Sequence, residues 1–257
     1  VVNKLIAASE LMSEIYQRQR VPDYEELRAE VEATGDADML DMFDRNCGPW
    51  DEGAELHPFY GAEEMPEGAG FYPADLSREE FDAYLEANPE QRDALLDPYT
   101  VVRRDGEALV AVPYSQAYRE WLEPAAQLLR EAADITTNDS LKRFLSLRAD
   151  SFLSDDYFES EMAWMDLDGT PIEVAIGPYE VYDDKLFGFK TAYESFVTVK
   201  NPEESKALAK YKDYLRDMEA NLPVDESYKN FKRGFVSPIA VTYQIHGGGD
   251  NENGVQT

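Results

Sequence analysis

The chain has 257 residues, of which 43% are hydrophobic and 12% are aromatic, and it carries 53 acidic against 24 basic side chains. This length and composition support a full hydrophobic core and exclude a disordered chain. The formal net charge of −29 disfavours nucleic acid and anionic membrane as partners, because both carry negative charge. No apolar run reaches the ~20 residues of a membrane span.

Two explanations of the acidity are open. The carboxylates are spread along the whole chain rather than gathered in one tail, which favours solubility in concentrated salt, as in halophilic proteins. A surface that binds cations is the alternative. The single cysteine, Cys47, excludes an internal disulfide, and Val1 leads directly into a helical pattern without a signal peptide. We therefore expect a cytoplasmic protein.

Helical periodicity dominates the N-terminal half. Leu5, Ala8, Met12 and Ile15 form one apolar stripe and predict a first helix. Further helices are predicted from Pro22 to Glu32, from Asp36 to Asn46, from Ser77 onward behind a capping box with Glu80, and from Asn88 to Leu96.

Between these helices, the stretch from Cys47 to Pro73 is rich in glycine, proline and aromatic residues. It predicts a long loop whose aromatic side chains are packed down on the core.

A hairpin and three helices are predicted in the middle of the chain. The Asp105-Gly106 turn joins two segments with a period of two, Thr100–Arg103 and Ala108–Val112. The helices are predicted at Ser115–Ala133, Asp139–Ser151 and Asp155–Trp164.

The last third predicts strands and one long charged helix. A first strand starts at Ile172, breaks or bulges at Gly177-Pro178 and continues to Tyr182. Two further strands are predicted, at Phe196–Val199 and at Val236–His246. Between them, a helix is predicted at Pro202–Leu222, with Leu208, Tyr211, Leu215 and Met218 on one face. A glycine loop is predicted from Gly247. We expect an α+β fold, with N-terminal helices packed on a curved, mostly antiparallel sheet or partial β-barrel.

Several catalytic motifs fail on their spacing. The two histidines, His57 and His246, have no ligand partner at helical spacing, and each is interpreted as structural. Asp166-Leu167-Asp168-Gly169 lacks the first and last acids of a calcium loop. Arg28, Glu32 and Gly35 match only part of a Nudix box. His246-Gly247-Gly248-Gly249 is similar to the oxyanion loop of lipases and esterases, but the sequence has no Gly-x-Ser-x-Gly elbow to go with it.

The densest motif of the sequence lies between Trp164 and Val197. It consists of Ile176-Gly177, two further residues, Glu180-x-Tyr182, then Phe187-Gly188 and Glu194-x-Phe196-Val197. This pattern resembles the dipeptidyl-peptidase III family of zinc metallopeptidases, in its distant bacterial branch. Gly48-Pro49-Trp50, Phe71-Tyr72-Pro73 and Val112-Pro113-Tyr114-Ser115 extend the resemblance over most of the chain.

The resemblance implies a two-lobed peptidase and assigns two substrate-binding residues. One lobe of the family has a β-barrel core with helices, and the other carries zinc on a His-Glu motif and a separate glutamate. Glu180 would hold the N-terminal ammonium of the peptide, and Tyr182 would contact the scissile region. A carboxylate suits a free amine, and a phenol can donate to a developing oxyanion. Asp183 stands where the family commonly has a basic residue.

The zinc motif of the family is absent from this sequence. We therefore expect residues 1–257 to form one α+β lobe of a longer hydrolase, with 1–163 mainly helical and 164–257 β-rich, and with zinc held by a second lobe beyond Thr257. No catalytic residue and no metal ligand is assigned to this chain, and no peptidase activity is expected of it alone, even with added zinc.

The partners implied by the resemblance are a peptide substrate and the remainder of the polypeptide. The alternative is a non-enzymatic peptide-binding module that uses the same strand edge, or a structural lobe of a fused protein. Peptide binding without turnover, lost in Glu180→Ala, would separate the binding module from the structural lobe.

Overall fold

The computed structural model describes residues 1–61, 64–209, 211, 214–231 and 240–250. Helices dominate the first two thirds of the chain, as predicted, and two short helices follow in the last third. They are α1 (Val2–Arg20), α2 (Tyr24–Ala33), α3 (Ala37–Arg45), α4 (Arg78–Ala87), α5 (Arg92–Leu96), α6 (Tyr114–Ala117), α7 (Arg119–Ile135), α8 (Asp139–Ser154), α9 (Phe158–Met165), α10 (Pro202–Ala209) and α11 (Leu215–Ala220). In the described residues, no helix is both long and apolar enough to cross a bilayer.

The strands form three separate antiparallel sheets. They are β1 (Trp50–Asp51) with β2 (His57–Pro58), β3 (Thr100–Asp105) with β4 (Ala108–Pro113), and β5 (Ile172–Glu180), β6 (Ala192–Lys200) and β7 (Thr242–Gly249) in the order β5-β6-β7. The fold is α+β, as expected, and none of these sheets closes into a barrel.

Local sequence signals account for several element boundaries. The Ser77 hydroxyl accepts a hydrogen bond from the Glu80 amide. This bond caps the start of α4, where the sequence predicts it. The Asp36 carboxylate caps α3 in the same way. Gly106 adopts a φ of +62° in the turn between β3 and β4, as the hairpin prediction requires.

The segment from Cys47 to Pro73 is less irregular than predicted. It contains the short β1–β2 ladder, in which Trp50 lies opposite Pro58. Its aromatic residues Trp50, Phe71 and Tyr72 are buried, which confirms that the segment packs on the core.

The charged helix expected over Pro202–Leu222 corresponds to the two described helices α10 and α11, and residues 210, 212 and 213 of its range lie outside the described residues. Tyr211 and Met218, expected on its apolar face, are each about half exposed.

The final strand, β7, covers a later part of the chain than the predicted range Val236–His246. Val236 lies outside the described residues, and β7 continues through the glycine run to Gly249. The glycine run is therefore part of the sheet and not a loop.

Helix α1 explains this glycine-rich strand, because it crosses β6 and β7 at close range. Ser9 on α1 is hydrogen-bonded to Ser195 on β6. The Ser13 hydroxyl accepts a hydrogen bond from the Gly249 amide at 2.9 Å. A Cβ atom at Gly248 would overlap the Ser9 carbonyl oxygen. Glycine is required here because the helix leaves no room for a side chain.

Gly248→Ala should destabilise the fold. Overpacking at a backbone contact costs about 1–3 kcal/mol, because α1 or β7 must shift to admit the methyl group. Chemical denaturation followed by circular dichroism measures the change. The matched control is Gly53→Ala, where the nearest atom to a new Cβ is a side-chain oxygen at 3.3 Å. Equal stability of the two variants would contradict this packing account.

Candidate substrate-binding site

The end of β5 carries the first predicted site residue on a bulge. Pro178 pairs with Tyr193 and Glu180 pairs with Ala192, so Tyr179 is left without a partner on β6. Because successive residues of a strand point to opposite faces, one extra residue changes the face of everything after it. The bulge thus places Glu180 on the same face as Ala192 and Glu194.

Glu194 lies on the central strand between two glycines. It is opposite Gly177 on β5 and Gly249 on β7, so neither cross-strand neighbour has a side chain. The residue is only 7% exposed. Burial, together with the nearby Glu180 carboxylate, raises the pKa of Glu194 to about 7. Neither influence supplies a positive charge, so the negative charge of the ionised Glu194 carboxylate is poorly compensated.

The loop between β5 and β6 is held by Asp184. Its carboxylate accepts hydrogen bonds from the backbone amides of Phe187, Phe189 and Lys190 at 2.9–3.0 Å and from the Tyr72 hydroxyl at 3.0 Å. An ionised carboxylate that accepts several such bonds is strongly anchored. The loop therefore enters β6 in a fixed conformation.

Its neighbour Asp183 connects the same loop to α1. Arg20 approaches Asp183 at 3.3 Å and Glu52 at 2.6 Å, and it also donates to the Tyr16 hydroxyl at 3.1 Å. Burial raises the pKa of Asp183 above its ordinary value, although Arg20 acts in the opposite direction. The acid that departs from the family pattern is thus paired with an arginine of α1.

Tyr182 lies two residues beyond β5 and not within it, which corrects the strand boundary predicted from the sequence. Its side chain is 55% exposed, and its hydroxyl donates a hydrogen bond to the Asp250 carboxylate. Asp250 directly follows β7, so this bond links the two outer strands of the sheet. Tyr16 of α1 also hydrogen-bonds Asp250.

The pKa values of the carboxyl groups at this site are raised above their ordinary values. Burial first, and then the charges of Asp250 and Asp183, raise the pKa of Glu180. Burial also raises the pKa of Asp250, and this effect outweighs the hydrogen bond from Tyr16 and the charge of Arg20, which lower it. A site in which the pKa values of several carboxyl groups rise together favours an added positive charge.

The described residues hold no group of three or more His, Cys, Asp and Glu side chains that could bind a metal ion. His57 lies in β2, and His246 lies in β7 opposite Val197. This part of the chain does not fit the zinc of the resembled family.

Sequence motifs identify only part of this site. Glu180 was found through a motif, and Glu194 stood in the same motif without a role. Asp250 was hidden in a polar run after the glycines. The only signal for its role was an acid next to a strand end, which is too common to be specific.

Comparison with known proteins places the chain in a family. The model of peptidase family M49 matches residues 93–239, more than half of the chain. The chain therefore belongs to peptidase family M49.

Two solved structures share the fold over the whole chain. A dipeptidyl-peptidase III (DPP III) from Caldithrix abyssi is 46% identical with a TM-score of 0.94. One from Corallococcus sp. strain EGB is 38% identical with a TM-score of 0.87. In both cases all of this chain is covered, together with 49% of the solved chain. The chain thus spans about half the length of these two proteins.

A curated relative carries a different kind of name. "Nudix hydrolase 3" of Arabidopsis thaliana is 35% identical over 207 residues, which cover 72% of this chain and 27% of that protein. The partial Nudix pattern at Arg28 serves another purpose here, because Arg28 forms a two-point ion pair with Asp44 at 2.7 and 2.8 Å.

Glu194→Gln should change the pH dependence of stability. In the wild type, the raised pKa means that Glu194 keeps its proton in the folded state up to about pH 7. Stability from this group is complete below the unfolded pKa and is lost as the pH rises to 7, by up to about 3 kcal/mol. The variant, which is always neutral, should match the wild type near pH 4 and exceed it near pH 8.

Urea unfolding at a series of pH values measures this difference. Glu173→Gln on the neighbouring strand β5 is the control, because Glu173 is paired with Lys200 at 2.8 Å. If the free energy of unfolding changed with pH in the same way in the wild type and in Glu194→Gln, the raised pKa of Glu194 would be contradicted.

Proposed function

We propose that this chain is the substrate-binding lobe of a zinc-dependent, DPP III-like metallopeptidase that releases dipeptides from peptide N-termini. The observation that carries the proposal is the pair Glu180 and Glu194. These two partly buried carboxylates lie on one face of the sheet, and the pKa values of both are raised. The α-ammonium of a peptide would supply the positive charge and the donors that this pair lacks.

The surrounding residues define the binding direction. With its ammonium at the end of β5, an extended peptide can add to an unpaired edge of the three-stranded sheet through backbone hydrogen bonds. Tyr182 would then contact the scissile region. Its hydroxyl is directed at Asp250 in this structure, so donation to a developing oxyanion requires it to leave that acceptor.

Zinc supplies the hydrolytic chemistry in this proposal, and its ligands come from the remainder of the polypeptide. The described part of this chain offers no cluster that would hold the metal. Its own contribution is to bind the N-terminus and to fix the register of the peptide. The membership of family M49 and the half-length match to two DPP III structures support this division of roles.

Glu180→Gln should weaken binding of a peptide with a free N-terminus. Loss of one charge-assisted hydrogen bond corresponds to a roughly tenfold to hundredfold increase in Kd. Isothermal titration calorimetry with a tetra-alanine amide measures the effect at pH 7.5. An N-acetylated copy of the same peptide, which has no ammonium, should bind weakly to wild type and variant alike.

The control for this experiment is Glu173→Gln, an acid on the same strand that is paired with Lys200. Unchanged affinity in Glu180→Gln would reject the ammonium site and favour a structural lobe. Wild-type binding that ignores acetylation would favour a peptide-binding module that recognises the backbone alone.

A further inference from the structure

The bulge that directs Glu180 toward Glu194 is in contact with a buried arginine. Arg148 of α8 is 0% exposed. Its Nη2 donates to the Glu161 carboxylate of α9 at 2.5 Å. A buried guanidinium is costly unless it is paired and held by further favourable contacts. Its surroundings therefore show what it contributes to the fold.

Aromatic rings enclose the guanidinium. The Arg148 Cζ atom lies 5.2–5.5 Å from the ring centroids of Phe144, Tyr157 and Tyr179, within the range of cation–π attraction. Nε and Nη1 find no hydrogen-bond partner among the described residues. The ring faces and Glu161 thus define its position. Tyr179, the unpaired residue of the bulge, is one of the three rings.

The guanidinium also packs against the strand backbone. A Cβ atom at Gly177 would lie 2.5 Å from Nη1 of Arg148. Gly177 has a φ of +155°, a conformation that side-chain-bearing residues rarely adopt. Arg148 therefore contacts the strand immediately before the bulge through Gly177 and at the bulge through Tyr179.

We propose that Arg148 is a positioning residue for Glu180. By holding Tyr179 out of the pairing with β6, it maintains the extra residue that places Glu180 opposite Ala192 and beside Glu194. If Tyr179 replaced Glu180 opposite Ala192, Glu180 would move to the other face of the sheet. Arg148 acts through the backbone and makes no contact with substrate.

The inference rests on the proposed role of Glu180, and a double-mutant cycle tests it separately. Arg148→Lys keeps the charge but loses the planar group that fits between the rings. It should weaken binding of the free tetra-alanine amide roughly tenfold and leave binding of the N-acetylated peptide unchanged. In a Glu180→Gln background, Arg148→Lys should have no additional effect on either peptide, because the group it positions is already lost.

Arg130→Lys is the matched control, since Arg130 pairs with Asp150 between α7 and α8 at 2.8 Å and is partly exposed. If Arg148→Lys does not fold, the same cycle is measured with Tyr179→Phe. That variant keeps the ring and removes the hydroxyl that interacts with Glu161 and Arg148. A smaller loss, still confined to the free peptide and absent in the Glu180→Gln background, is expected.

Three outcomes would overturn the inference. Equal losses for free and acetylated peptides would assign Arg148 a structural role only, and so would losses that add to those of Glu180→Gln. If Glu180→Gln itself leaves binding unchanged, the proposed function fails first. If Glu180→Gln weakens binding while Arg148→Lys does not, the function stands and the positioning role is rejected.

Discussion

The structure depends on the buried polar contacts between helix α1 and the three-stranded sheet. Gln19 is central among them, because its amide group binds both the Thr191 carbonyl oxygen at 3.1 Å and the Tyr193 amide at 2.8 Å. Buried polar groups of this kind tolerate little displacement, since each unmade hydrogen bond costs free energy. They fix the start of β6 against α1, and Ser13 fixes the end of β7. Glu194 lies on β6 and Asp250 directly follows β7, so this frame positions both residues.

The frame holds together a set of carboxylates that reduces stability when no ligand is bound. Burial raises the pKa values of Glu180, Glu194 and Asp250. Arg20, which pairs with Asp183 and Glu52, offsets only part of the rise at Asp250. Uncompensated charge in a rigid setting is typical of sites that bind the opposite charge. The bulge in β5 completes the arrangement because it aligns Glu180 with Glu194.

The sequence predicted the parts of this account that depend on local chemistry. The cap at Ser77, the hairpin at Gly106 and the bulge after Gly177 all follow from residues within a few positions of each other. It failed where distant packing decides. The glycines from Gly247 were interpreted as a loop because nothing local reveals that α1 crosses them. The roles of Glu194, Asp250 and Arg148 arise from strand register and burial, which motif spacing does not encode.

The central claim is that the ammonium of a peptide binds between Glu180 and Glu194. Its most direct test is an NMR titration of the Glu194 side-chain carboxyl group with and without a tetra-alanine amide. The account predicts that the pKa of Glu194, about 7 in the free chain, falls clearly when the free peptide binds, because a nearby cation favours the ionised carboxylate. The N-acetylated peptide should leave it unchanged. A pKa of Glu194 that stays the same with saturating free peptide would contradict the account.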